Sequence, residues 1–201
     1  MTQQPEEVFE TYQSPAGAQV THCRGTLIVS SLDALRRHGH YESYLQLLPE
    51  AFREELVHTL PASWVPVALA QEHYIACNAL RLSTHAMDAI ASDVTERVSA
   101  TFLATFLRTA RSVGANPWHA LKQSHLLVPR VLQGGSIRII KVGPKDARIE
   151  TRGLSLFHIP YFSRAFCTFV KRAALVFTET AYARQLETTE LNAHVALLSW
   201  V

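Results

Sequence analysis

The stretch GGSIRIIKVGPKDARIET, residues 134–151, decides how this chain folds. Ile137, Ile139 and Lys141 alternate with Arg138, Ile140 and Val142, and a period of two is the signature of a strand. Gly143-Pro-Lys-Asp146 carries turn chemistry, and Ala147-Arg-Ile-Glu-Thr151 supplies the return strand. The stretch therefore reads as a β-hairpin.

Working outward from it, the period upstream is helical. Leu32 and Leu35 follow a cap at Ser30 or Ser31, in a short helix that stops at His38-Gly39. Tyr41, Tyr44, Leu45 and Leu48, then Phe52, Leu56 and Leu60, repeat at helical spacing between prolines. Pro66 opens a helix to about residue 80 that carries Leu69, His73, Ala76 and Leu80 on one stripe. Ser83 caps the next, with Met87, Ile90, Ala91, Val94 and Val98 as its buried face. Phe102, Leu103, Phe106, Leu107 and Ala110 predict an apolar continuation ending at Gly114. Asn116-Pro117 starts one more helix, with Trp118, Leu121, His125 and Val128.

Downstream of the hairpin, Tyr161 to Phe177 reads as a helix apolar on more than half its circumference, as in a sandwiched element. Two strand-like stretches follow, 182–188 and 193–200. Helices at one end and strands at the other predict an α+β fold: a helical N-terminal part packed on a small antiparallel sheet, with two hairpins around a buried helix. Residues 1–19 are polar and read as a flexible tail, from which Phe9 or Tyr12 could dock on the body. Residues 20–201 read as a single domain.

At 201 residues, with 48% hydrophobic and 18% charged residues, the chain can bury an ordinary globular core without staples. A formal net charge of +2 gives no general affinity for nucleic acid, and none is expected. The ten histidines could add positive charge only below neutral pH. Cys23, Cys77 and Cys167 are odd in number and far apart, which favours buried reduced thiols over a disulfide framework. No run approaches the roughly 20 apolar residues of a membrane span. The polar, acidic start is unlike a signal peptide, so the cytoplasm is the expected location.

Candidate chemistry is sparse. His73 and Cys77 stand at i, i+4 on a helix and could face one ion, but no second pair accompanies them, and no metal is expected. Glu72-His73 could work as an acid/base pair only if they shared a direction, and adjacent helical residues point about 100° apart. There is no Gly-x-Ser-x-Gly elbow, and Gly134-Gly135 and Gly143-Pro-Lys145 lack the spacing of phosphate loops. No catalytic residue is expected. Basic residues cluster at Arg36-Arg37-His38 and Lys171-Arg172, and along the hairpin at Lys141, Lys145, Arg148 and Arg152. Alternation could gather that last set on one basic face. The apolar and aromatic residues Trp64, Phe102, Phe106, Trp118, Phe162 and Phe166, with His73 and His125, are the candidates for a ligand pocket between helices and sheet.

Several segments together resemble a bacterial paralogous family of uncharacterised proteins of about 200 residues. They are Arg24-Gly-Thr26, Leu60-Pro-Ala-Ser-Trp-Val-Pro66, His73-Tyr74, Gly114 with Pro117-Trp118, Gly143-Pro-Lys145, Pro160-Tyr-Phe162 and Ser199-Trp200. That resemblance implies no activity. The order of elements is in turn similar to the superfamily of haem–nitric-oxide sensors, vinyl-reductase-like ligand-binding domains and TRAPP subunits. It implies a helical part, a small antiparallel sheet and a hydrophobic cavity or an acylated cysteine. The haem sensors use a histidine on the helix before the sheet and a Tyr-x-Ser-x-Arg clamp. Here His125 or His119 occupies a comparable helix, but Tyr161-Phe-Ser-Arg164 has its arginine one residue early, a rotation of about 100° on a helix. Haem is thus implied as a possible cofactor that these residues do not favour. The expected role is a non-enzymatic sensor or binding module for a small apolar ligand, with self-association into a homodimer. The alternative is an interaction adaptor with a solid core, which works through a protein partner.

Overall fold

In the computed structural model, which describes residues 7–102, 116–190 and 192–201, the chain begins with β1 (Glu7–Gln13), β2 (His22–Arg24), α1 (Gly25–Arg37) and α2 (Tyr41–Leu47). It continues through α3 (Glu50–Val57), β3 (Trp64–Pro66), α4 (Val67–Ala79) and α5 (Thr84–Phe102). After residue 115 come α6 (Pro117–Lys122), α7 (Ser124–Val131), β4 (Leu132–Gln133), β5 (Ser136–Gly143) and β6 (Asp146–Arg152). A 3-10 turn (Ser155–His158), α8 (Pro160–Ala174), β7 (Ala181–Leu186) and β8 (Ala193–Trp200) complete it. The expected apolar continuation over residues 102–114 falls almost wholly outside the described residues.

The hairpin read from Gly134–Thr151 is β5–β6, with Ile139 opposite Ile149. It forms the middle of a five-stranded antiparallel sheet in the order β1-β5-β6-β8-β7. Rows across the sheet therefore bring Ile139, Ile149 and Ala196 onto one face, with Ile137, Thr151 and His194 beside them. Strict alternation in β8 turns His194, Ala196, Leu198 and Trp200 inward. α8 lies on this face and buries Val170 and Ala174 against Ile149 and Leu198. A second cluster, under α1 to α4, holds Ile28, Leu32, Leu35, Tyr44 and Leu56. Each such side chain contributes about 1.5–3 kcal/mol on burial. Phe166 packs against both clusters.

Four expectations need correction. Glu7–Gln13 is not a tail but the edge strand β1, paired with β5. It reads as polar because an edge strand has one wet side; Phe9 still docks, its ring 4.8 Å from that of Trp118. Residues 14–20 are also tied down, with Val20 N donating to Gly153 O at 2.7 Å and Gly135 N to Gly17 O at 2.9 Å. Glycine is required where these segments touch: a Cβ on Gly134, at φ +101°, would lie 1.9 Å from the Gln19 carbonyl oxygen. α1 starts at Gly25, well before the expected cap at Ser30 or Ser31, and a Cβ there would lie 2.1 Å from the Leu60 carbonyl oxygen. The single helix expected after Asn116 is two, because Gln123 interrupts it with ψ near 4°. Lastly, α8 is not sandwiched all round: Lys171 and Arg172 are exposed.

Candidate functional site

A cavity of about 240 Å³ lies where the helical part meets the sheet. α5 supplies Ile90, Val94 and Val98 to its wall, the same stripe that the helical period marks. α8 supplies Phe162, Ala165, Phe166 and Phe169, and the sheet supplies Ile137, Ile139 and Ile149. α7 adds Leu127 and Val128, and Tyr161 stands beside them. Polar side chains on the described wall are few and mostly hydroxyls. Thr95 spends its hydroxyl on the Ala91 carbonyl at 2.7 Å. Ser124 does not: its Oγ is buried and has no hydrogen-bond partner among the described residues. An orphaned hydroxyl costs about 1–3 kcal/mol unless a ligand or water meets it. The one charged lining residue among those described, Arg152, is clasped by Glu190 at 2.6 and 3.0 Å, which raises its pKa and lowers that of the carboxyl.

The residues expected in a pocket divide. Phe162 and Phe166 line the cavity. Trp64 lies on β3, with the Arg24 guanidinium 3.8 Å above its ring. Trp118 packs between Phe9 and Trp200, its Nε1 donating to the Pro144 carbonyl at 2.9 Å. His125 donates from Nδ1 to the Lys122 carbonyl at 2.8 Å, with the Glu10 carboxylate 3.7 Å from the same nitrogen. The side chains of Phe102 and Phe106 lie outside the described residues. What residue-by-residue reading missed is Ser124, whose only sign in the sequence is its place one turn before the apolar pair Leu127-Val128.

His73 belongs to the helical core and not to the cavity wall. Tyr44 Oη lies 2.8 Å from its Nδ1, and its Nε2 lies 2.9 Å from Ser31 Oγ and 3.6 Å from Cys77 Sγ. A neutral ring serves both oxygen contacts, one nitrogen accepting and the other donating. Complete burial lowers its pKa from 6.5 to about 3. Cys23 is pushed up to about 12 and Cys167 to about 11 by burial, and Cys77 is also raised. All three thiols are free and buried, so none is an activated nucleophile. Among the described residues no group of three metal-ligating side chains converges.

The hairpin cations are largely neutralised where they stand. Lys141 faces Glu7 at 3.6 Å, and Glu150 lies 3.0 Å from Arg148 and 3.6 Å from Arg152. The basic face suggested by alternation is thus interleaved with carboxylates.

Comparison of the folds places this chain beside H-NOX domains. The Fe(II) unliganded H-NOX protein from K. algicida aligns with a TM-score of 0.65 at 9% identity, over 89% of this chain and 96% of the other. An oxygen-binding H-NOX domain related to soluble guanylate cyclases aligns at 0.58 and 12% identity, over 88% and 94%. A structure addressing haem distortion in the H-NOX family aligns at 0.61 and 11%, over 88% and 94%. At these identities the likeness is one of fold. No family model and no curated protein matches the chain, and the bacterial paralogous family remains a resemblance of sequence segments.

Haem can be tested on the residues. All ten histidines are described, and none lines the cavity. His119 accepts from the Asn116 backbone at the start of α6, 3.1 Å away, and His125 is engaged as above. In the Tyr161-Phe-Ser-Arg164 segment, Ser163 donates to the Phe157 carbonyl at 2.8 Å and Arg164 grips Asp88. Among the described residues neither an axial histidine nor a propionate clamp is presented, so they do not fit a haem in this cavity.

Proposed function

We propose that this chain is a binding or sensor module that holds a small, largely apolar ligand bearing one hydrogen-bonding atom. The observation that carries this reading is the cavity wall: apolar side chains from α5, α7, α8 and the sheet, with the unpaired Ser124 hydroxyl among them. A volume of about 240 Å³ lies just under the roughly 300–1,000 Å³ of pockets that take drug-sized molecules, which favours a compact ligand over a macrocycle. The H-NOX-like fold supports a sensing role by analogy, and no acid, base or nucleophile converges on the cavity among the described residues.

Native mass spectrometry of the purified protein, compared with its denatured mass, should show added mass lost on denaturation. The uncharged probe N-phenyl-1-naphthylamine should bind with saturable fluorescence, and Ala165→Trp should abolish that binding with the fold retained. Hemin should give no saturable histidine-ligated Soret band. A protein that carries nothing and gives no probe signal would reject the reading, and the adaptor with a solid core would replace it.

A further inference from the structure

The outer seam between α5 and α8 opens into a second groove of about 710 Å³. On α8 it is lined by Arg164, Thr168, Lys171 and Arg172, spaced as one helical stripe on the side away from Phe162, Phe166 and Phe169. On α5 it is lined by His85, Asp88 and Ser92, and β7 adds Arg184. Four cationic side chains thus face one carboxylate. That local excess is larger than the +2 carried by the whole chain.

The carboxylate is already committed. Asp88 accepts from Arg164 Nε and Nη2 at 3.1 and 2.9 Å and from Thr168 Oγ1 at 3.0 Å. Asp93, the next acid on α5, is taken by Arg37 and His38. Arg172 is pinned by one atom only: its Nε donates to the buried Ser92 Oγ at 2.9 Å, which leaves its two terminal nitrogens unbonded among the described residues. Lys171 and Arg184 have no side-chain partner there. Three uncompensated cations in one groove repel each other, and an oriented guanidinium fork matches the oxygens of a phosphate.

The geometry points to an anion site in this groove, which takes a small molecule bearing a phosphate or pyrophosphate group. Lys171, Arg172 and Arg184 hold the oxyanion, while the Asp88–Arg164 pair forms the fixed wall. The site is separate from the apolar cavity, and its standing does not depend on whether that cavity binds anything.

Inorganic pyrophosphate titrated calorimetrically into the full chain should bind saturably, one to one, and more weakly as salt rises. Lys171→Ala with Arg184→Ala should weaken it roughly tenfold or more without lowering the melting temperature, because neither side chain has a hydrogen bond or ion pair to lose among the described residues. Lys141→Ala with Lys145→Ala removes the same charge elsewhere and should leave affinity intact. ADP bound as tightly as pyrophosphate would assign recognition to the phosphates alone; tighter ADP would add its organic part, and both results support the site. No saturable binding, or equal weakening in the control variant, would overturn it.

Discussion

His194 has two buried ring nitrogens and no hydrogen-bond partner for either among the described residues. Its ring lies against Phe157 at 4.4 Å and meets Phe166 edge-on at 5.2 Å, so apolar neighbours take the place of donors and acceptors. His194→Phe keeps this ring packing and deletes both orphans. It should raise stability at pH 7 by about 1–2 kcal/mol, read from the urea midpoint; a loss would mean that an unseen partner meets the imidazole. His73 is the opposite case. His73→Ala strands Tyr44 and Ser31 and opens a void, which should cost about 2–4 kcal/mol. Burial lowers the pKa of His73 to about 3 and of His194 to about 4, both from 6.5. The unfolded chain therefore takes up these protons first as pH falls. Stability should be full above about pH 6.5 and decline as pH falls toward 3. Urea midpoints at pH 7 and pH 5 check this, and His194→Phe should show the smaller drop.

Among the elements, β1 makes the sharpest claim. A truncated chain lacking residues 1–13 would strip the edge from β5 and remove Phe9 and Tyr12 from the core around Trp118. Its melting temperature should fall by roughly 5–10 °C, with a tendency to aggregate through the bared edge; a melting temperature equal to that of the full chain would return these residues to the status of a tail. That strand was illegible because polar edge residues such as the exposed Glu7 and Gln13 and the half-buried Glu10 lack the apolar alternation of a two-sided strand. β2, β3 and β4, at two or three residues each, are too short to show any period. By contrast α4, α5, α8 and the β5–β6 hairpin were legible, since long amphipathic elements repeat their pattern. Phe162 and Phe166 line the cavity, but helical spacing alone does not tell a cavity wall from a filled core. His73 and Trp64 could not be told from pocket residues, because a satisfied core histidine and a tryptophan stacked on Arg24 look the same in sequence. The groove was half visible: Lys171-Arg172 stood out, but the Asp88 and Ser92 anchors lie some 80 residues away in the chain.

At the scale of the whole molecule, α5 and α8 form a partition, with the apolar cavity on one side and the basic groove on the other. A ligand that spreads the two helices from within must change the separation of Ser92 from Arg172 and of Asp88 from Arg164 on the outside. Thermodynamic reciprocity then binds the two occupants: if N-phenyl-1-naphthylamine alters the pyrophosphate constant by some factor, pyrophosphate alters the probe's constant by the same factor. Titrating each in the presence of the other measures that factor twice, and a value of one in both directions would mean that the partition is rigid. A factor different from one would make the helix pair a transducer, converting the presence of a greasy molecule inside the fold into a changed electrostatic reading on its surface.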